Sequence, residues 1–262
     1  MKLGFYRAFE DKYRGSRELI KTRLQAYRPF LEMLKYSYPD PQAIDLGCGR
    51  GEWLELLGDL GFSAQGVDLD EGMLDACREL GLQVKLEDAL DYLREFPDKS
   101  QDLISAFHLV EHIPFDDLQV LIEESLRVLR PAGLLILETP NPENIVVGSS
   151  SFYMDPTHER PIPPMLLAFL PDYYGFEKVK ILRLQESVEV RQSKKVSLLN
   201  VLNGVSPDYA VIAQKKAENE ILSLSDDVFE AEYGVTLENL ALKYTQQTED
   251  KAQQAEDKAQ QA

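Results

Sequence analysis

The chain has 262 residues, 44% of them apolar, and a formal charge of −17. That length and apolar content suffice for one packed domain with an appendage, and no run of eighteen apolar residues is present to cross a membrane. The charge argues against non-specific nucleic-acid binding, because the phosphate backbone would repel the body of the protein.

Residues 1–40 read as a helical cap. In SRELIKTRLQAYRPFLEMLKY, Leu19, Ile20, Leu24, Tyr27, Leu31 and Leu34 share one broad face, and Ser16 with Glu18 behind it marks a helix start. The first fifteen residues, MKLGFYRAFEDKYRG, lack the apolar core of a secretory signal. Residues 41–217 alternate between strand and helix patterns. QAIDLG is a strand and GEWLELLGDLG a helix. AQGVDLD is a strand, EGMLDACRELG a helix and LQVKLED a strand. ALDYLREFP is a helix, DLISAFHLV a strand, DDLQVLIEESLRVLRPAG a helix and LLILETP a strand. VKILRLQE and YAVIAQKK supply the last two strands. The alternation predicts an α/β fold built from βαβ units around a mainly parallel sheet.

Residues 218–262 change character, with eleven acidic and three basic side chains. They end in EDKAQQA twice, and a period of seven in such a composition predicts a coiled coil. Ala252, Ala255, Ala259 and Ala262 form its stripe, extended upstream by Leu237, Leu240 and Tyr244. The repeat runs to the last residue, so the coiled coil is expected to continue in a longer chain. A solvated single helix is the competing reading, because two heptads are few. LSLSDDVFEAEYGVTLENLAL mixes apolar and acidic residues and offers a face that packs back on the domain instead. Cys48 and Cys77 lack disulfide or metal spacing, which fits a reducing cytosol. With three histidines and no compact Asp/His spacing, no metal site is expected.

AIDLGCGRGEW places Gly47, Gly49 and Gly51 at alternate positions where a strand runs into a helix. Bare backbone there permits a sharp turn and a ligand's close approach, and the helix end favours a carboxylate or phosphate. G-x-G-x-G is neither the dinucleotide fingerprint nor the P-loop. With Asp45 two residues ahead it resembles the first motif of class I S-adenosylmethionine-dependent methyltransferases, close to D-x-G-C-G-x-G. DLISAFHLVEHI looks like the family's fourth motif, and VLRPAGLLILETPN like the turn and strand after it.

The resemblance implies a Rossmann-like sheet with S-adenosyl-L-methionine as cofactor. Its methionine part would lie over the three glycines, and Asp68 would hold the ribose. Leu69 would cover the adenine, Asp88 would accept from its amino group, and Ala89 would sit beside it. Phe107 and His108 would flank the methyl donor. Arg17 is the first candidate for the methionine carboxylate, with Arg14 nearby and Arg23 second; the alternative is an arginine on a helix surface. An NAD-binding protein competes for a single glycine turn, but four ordered motifs over residues 41–142 argue against it.

Methyl transfer needs alignment, and a base where the acceptor is a hydroxyl. Candidates are His108, Glu111, His112 and His158, with packing or capping as the alternative role of His112. NPENIVVGSSSFYMDPTHERPIPP reads as a long ordered loop beside the active site. There Tyr153 could stack on a sugar, Asp155 and His158 meet its hydroxyls, and Arg160 bind a carboxylate or phosphate; an Asp155–Arg160 ion pair is the alternative.

RGSRELI-x-x-R, YMDPTHERP and the acidic tail together resemble methyltransferases encoded with bacterial surface-polysaccharide genes, some of which terminate O-antigen chains. This implies a sugar O-methyltransferase acting at the non-reducing end and stopping extension. It also implies a dimer or trimer through the coiled coil, a glycosyltransferase or polymerase partner, and a cytoplasmic location, peripheral at the inner membrane. The terminators that add phosphate carry a kinase domain, and no H-R-D or D-F-G motif is present. The alternatives are a methyltransferase of a quinone or lipid precursor, and a non-catalytic scaffold working through its coiled coil.

Overall fold

The computed structural model describes residues 12, 15–193 and 195–260. Seven strands make one sheet: β1 (Gln42–Leu46), β2 (Ser63–Asp68), β3 (Gln83–Leu86), β4 (Gln101–Phe107), β5 (Leu129–Pro140), β6 (Lys178–Leu184) and β7 (Asp208–Gln214). Their order is β3-β2-β1-β4-β5-β7-β6. The first five are parallel, and β7 runs antiparallel to both its neighbours.

From residue 15 onward, two helices, α1 (Arg17–Leu24) and α2 (Arg28–Ser37), precede the sheet. Ser16 opens α1 as expected, its side chain accepting from the Leu19 N–H. A 3-10 turn at Gln25–Tyr27 breaks the predicted stripe. Leu24, Tyr27, Leu31 and Leu34 are buried, but the register change leaves Leu19 exposed. The connecting helices are α3 (Glu52–Asp59), α4 (Glu71–Glu79), α5 (Ala89–Arg94) and α6 (Phe115–Val128). The helix expected to run through Arg-Pro-Ala-Gly stops at Val128, and Leu129–Gly133 joins β5 instead. Pro131 cannot donate a helical hydrogen bond and pushes the residue before it out of the α region.

Both faces of the sheet are covered, so its central strands are apolar throughout. On one face Leu103, Leu134, Ile136, Leu182, Ala210 and Ile212 pack against the N-terminal helices. On the other, Ile104, Leu135, Leu137 and Val211 meet Leu118, Leu121 and Ile122 of α6.

Beyond β5 the predicted loop contains a short helix, α7 (Ile145–Ser149), and a 3-10 turn at Ser151–Met154. Three further helices were not expected: α8 (Pro164–Tyr174), α9 (Val188–Gln192) and α10 (Leu198–Asn203). Paired prolines open α8 and Gly175 closes it in the left-handed region, φ 102°.

The acidic segment begins as part of the same body. It forms α11 (Asn219–Leu222), α12 (Asp226–Glu230) and α13 (Leu237–Gln260). Leu222 is buried and Phe229 meets Phe30 edge-on at 5.6 Å. In α13, Leu240 packs with Val196, Val205 and Val235, and the Gln247 side chain accepts from the Val196 N–H at 3.0 Å. The upstream half of the predicted coiled-coil stripe is therefore spent within the chain. Every described side chain from 248 to 260 is exposed, Ala252, Ala255 and Ala259 included; Ala262 lies outside the described residues.

Candidate functional site

Gly47, Gly49 and Gly51 all adopt positive φ, at 72°, 51° and 79°, a region that a Cβ makes costly. At Gly51 a Cβ would also lie 2.5 Å from Leu82 Cδ1 and 2.9 Å from Cys77 Sγ. The Gly49 N–H donates to Asp68 Oδ2 and the Asp70 N–H to Asp68 Oδ1, both at 2.8 Å. Asp68 thus ties the tip of β2 to the turn and still has lone pairs for a ligand. Asp70 and Asp88, one at each following strand–helix junction, cap α4 and α5. Buried Asp45 accepts from the Ser105 hydroxyl at 2.7 Å, which in turn accepts from Trp53 Nε1 at 2.9 Å.

These groups border a cavity of about 630 Å³. Eight of the ten residues expected to hold the cofactor line it; Gly51 lies behind as the cap of α3, and Arg17 does not reach it. Leu69 is 72% exposed beside the turn, a bare apolar surface for a purine ring to cover. Ten acidic residues line the cavity against one arginine, Arg23. Such a field favours a cationic ligand and disfavours a dinucleotide's pyrophosphate. Glycine turn, strand-tip acids, uncovered leucine and negative field fit a sulfonium nucleoside.

Arg17 is a correction to the sequence reading. It is bound to Glu55, lies 3.4 Å from Glu52 and donates to the Arg50 carbonyl at 2.8 Å. Arg23, the second choice, is the one that faces the cavity; Arg14 lies outside the described residues.

Past Phe107 the lining is mixed: Leu109, Ile113 and Met154 stand beside a cluster of ionisable groups. His108, itself at φ 52°, has Nδ1 3.2 Å from Glu111 and Nε2 3.4 Å from Glu138. The ring is half-exposed, and the partial loss of water around it would lower its pKa, but the two carboxylates outweigh this and hold it well above the ordinary histidine value. Burial would raise buried Glu111, yet His108 brings it below the usual range; its other oxygen accepts from Thr139 Oγ1 at 2.8 Å. Glu138, at the end of β5, accepts from the Tyr27 hydroxyl and from Gln185 Nε2 at 3.1 Å. Gln185, like His108, has positive φ, 69°. Asp208, the first residue of β7, faces the same space; burial pushes its carboxyl up to about 7, against the pull of His108.

His108, Glu138 and Asp208 each bring one polar atom within 4.8 Å of the others, and Glu111, His112 and His158 form a second such group. No compact cluster was visible in the linear spacing; the sheet assembles both. Glu138, Asp208, Tyr27 and Gln185 were missed. The available signal was an acid ending a buried alternating stripe: Leu134–Ile136–Glu138 in β5 and Ile212–Ala210–Asp208 in β7.

His112 Nδ1 lies 2.9 Å from Thr157 Oγ1, and burial lowers its pKa. His158 Nδ1 is 2.6 Å from the Phe152 carbonyl, and its ring stands 4.6 Å from that of His112. His108, His112 and His158 line the cavity, with Glu111 behind them. Of the expected substrate residues, Asp155 and His158 line it while Tyr153 and Arg160 do not. Tyr153 projects outward, 60% exposed, and Arg160 lies over the Phe115 ring at 4.6 Å. Asp155 accepts instead from the Thr157 N–H at 2.8 Å and hydroxyl at 2.6 Å.

The methyltransferase domain family matches residues 44–137. A solved S-adenosylmethionine-dependent methyltransferase from Archaeoglobus fulgidus is 35% identical, with a TM-score of 0.71, covering 80% of this chain and 100% of its own. A Mycolicibacterium smegmatis protein called a probable S-adenosylmethionine-dependent methyltransferase is 30% identical over 51% of each chain. A ubiquinone biosynthesis O-methyltransferase of Methylococcus capsulatus is 30% identical over 38% of this chain and 44% of its own. The chain spans about half the length of these curated relatives. Cavity, turn and a likeness that spans the whole archaeal structure and 80% of this chain agree: the chain belongs to the S-adenosylmethionine-dependent methyltransferases.

Proposed function

We propose that the chain methylates a hydroxyl oxygen of a polyhydroxylated, sugar-like acceptor. The observation that carries this is the polar end of the cavity, where Glu138 and Asp208 converge beside His108. An ionised carboxylate only accepts hydrogen bonds, so Asp208, with the lone pair that Glu138 keeps beside its three donors, suits an acceptor rich in O–H groups. S-adenosylmethionine, when bound, supplies a methyl group on a sulfonium.

Around it the backbone of Gly47 and Gly49 holds the methionine portion, with Arg23 taking the part expected of Arg17. Asp68 would hold the ribose, Asp88, Ala89 and Leu69 would hold the adenine, and Phe107 would keep water from the methyl group. Asp155 and His158 orient the acceptor from the far wall. The acceptor in this reading is the non-reducing end of an O-antigen polysaccharide. The exposed heptads after residue 248 then pair as a coiled-coil dimer or trimer that docks a glycosyltransferase at the inner membrane; among the described residues no helix is long and apolar enough to cross one.

A second reading, a phenolic quinone precursor as acceptor, draws on the name of the Methylococcus relative; that match covers 38% of this chain. Transfer assays with radiolabelled S-adenosylmethionine against mannose-, rhamnose- and glucose-terminated oligosaccharides and a catechol separate the two. Labelling of a glycan and not the catechol is expected; the reverse outcome replaces the first reading with the second.

A further inference from the structure

The polar end holds more ionisable groups than a proton transfer needs, and their hydrogen bonds sort them. His108 gives both ring nitrogens to carboxylates, Glu111 and Glu138, and stands as imidazolium between them. An imidazolium has no lone pair with which to take a proton. Glu111 has one oxygen on His108 and the other on Thr139, and lies buried behind the cavity. Glu138 is surrounded by three donors, from Tyr27, Gln185 and His108. Asp208 remains. It lines the cavity within 4.8 Å of the facing atoms of His108 and Glu138, and among the described residues no recorded hydrogen bond reaches its carboxylate.

We propose that Asp208 is the catalytic base, a carboxylate that takes the proton of the acceptor hydroxyl while fixed His108 keeps the opposite wall positively charged. This rests on the reading of the acceptor as a hydroxyl compound. The O–H bond breaks toward an Asp208 oxygen, which gains the proton. The oxygen lone pair forms the new O–C bond, and the electron pair of the broken C–S bond stays on sulfur. The products are a methyl ether, a neutral thioether and a protonated Asp208, which returns its proton to water.

Register explains how the residue gets there. Asp208 opposes Pro140 of β5 and Leu184 of β6, so it emerges at the edge where β4 and β5 end. Its face continues through Ala210 and Ile212, the face on which Glu138 follows Ile136. The charged groups facing it are His108 after β4, Glu138 on β5, Arg23 on α1 and Glu111 behind. Burial together with Glu138 and Glu111 raises its proton affinity, while His108 and Arg23 oppose this. The carboxyl titrates near 7, where a general base is most effective.

The test uses the full chain, labelled with aspartate carrying 13C at Cγ. In the wild type one carboxyl resonance is expected to titrate near pH 7, to vanish in Asp208→Asn, and to move to higher pH in His108→Gln. Calorimetric affinity of Asp208→Asn for S-adenosylhomocysteine should stay within about threefold of wild type, which also reports an intact fold. With the glycan acceptors of the transfer assay, kcat should fall by about 10²–10⁴-fold, with loss of the rising limb of the pH–rate profile near 7.

The assignment is overturned if no aspartate titrates above pH 6. It is also overturned if Asp208→Asn keeps kcat within threefold, or if His112→Gln rather than Asp208→Asn removes the limb. Transfer abolished by chelator and restored by Mg²⁺ would make the cluster a cation seat and overturn it too. In each of these cases the hydroxyl reading survives. If the wild type binds the cofactor yet methylates amines and no hydroxyl compound, both fall together.

Discussion

At the cofactor end of the cavity the groups come from three strand–helix junctions, each spanning a few residues: the Gly47–Gly51 turn, Asp68 to Asp70, and Asp88 with Ala89. At the acceptor end they come from positions 27, 108, 138, 185 and 208, on elements far apart in the chain. The first end is a property of local backbone: positive φ, caps, and one carboxylate spanning two N–H groups. The second exists only once the sheet has closed. Substitutions at the first should therefore act on cofactor affinity and folding, and at the second on turnover and pH response.

The largest effect tests the local end. Gly51→Val places a branched side chain at φ 79° against Leu82 and Cys77. Backbone strain and overpacking together should cost roughly 2–5 kcal/mol, read by urea unfolding, with binding of S-adenosylmethionine lost in calorimetry. Unchanged affinity would mean that the turn does not need its bare backbone. Next comes the arginine pair at the boundary between the ends. Arg23→Ala should weaken cofactor affinity by about tenfold, the value of one charge-assisted contact. Arg17→Ala should leave affinity within twofold and remove about 0–1 kcal/mol of stability, because its ion pair with Glu55 is partly exposed and buried Glu52 keeps Arg50 at 3.0 Å. The opposite ranking would return Arg17 to the site.

A smaller effect probes the assembled end. His108 binds its proton more tightly folded than unfolded. Its contribution to stability is complete below about pH 6.5, the unfolded value, and is lost as pH rises through the folded value. His108→Gln should therefore lose more stability at pH 6 than at pH 9. The slope should lie below the one-proton limit of about 1.4 kcal/mol per pH unit, since half-exposed charge is screened. A flat difference would show that Glu111 and Glu138 do not hold it charged. The smallest effect lies furthest from both ends. Deleting residues 248–262 should change stability by less than about 0.5 kcal/mol, because those side chains from 248 to 260 touch solvent. Sedimentation of the intact and shortened chains then reads the proposed coiled coil directly, and an identical monomer in both removes it.

The uneven legibility of the sequence follows from the same contrast. The Gly47–Gly51 turn, Asp68 and Asp88 announce themselves because their partners lie within the same few residues, so spacing encodes geometry. The central strands β4 and β5 were legible because a parallel sheet covered on both faces needs near-continuous apolar runs. Arg17 was misplaced because α1 offers Arg17 and Arg23 on different faces, and which one meets the cavity is set by Glu52 and Glu55 of α3. Glu138 and Asp208 went unread because each is an ordinary acid next to an apolar strand. Only the β5–β7 pairing brings them together. Arg160 and Tyr153 have suitable chemistry, but Phe115 and the turn at Ser151–Met154 aim them elsewhere.

The direction of β7 has a consequence for how such a scaffold diversifies. In an all-parallel sheet, only residues at the finish of a strand reach the ligand-bearing rim. A reversed strand delivers its opening residue there instead; laid the other way, seven residues would carry that position about 20 Å to the opposite rim. A loop ahead of the last strand can thus be rewritten, and a new functional group installed, without disturbing the turns that grip the nucleoside.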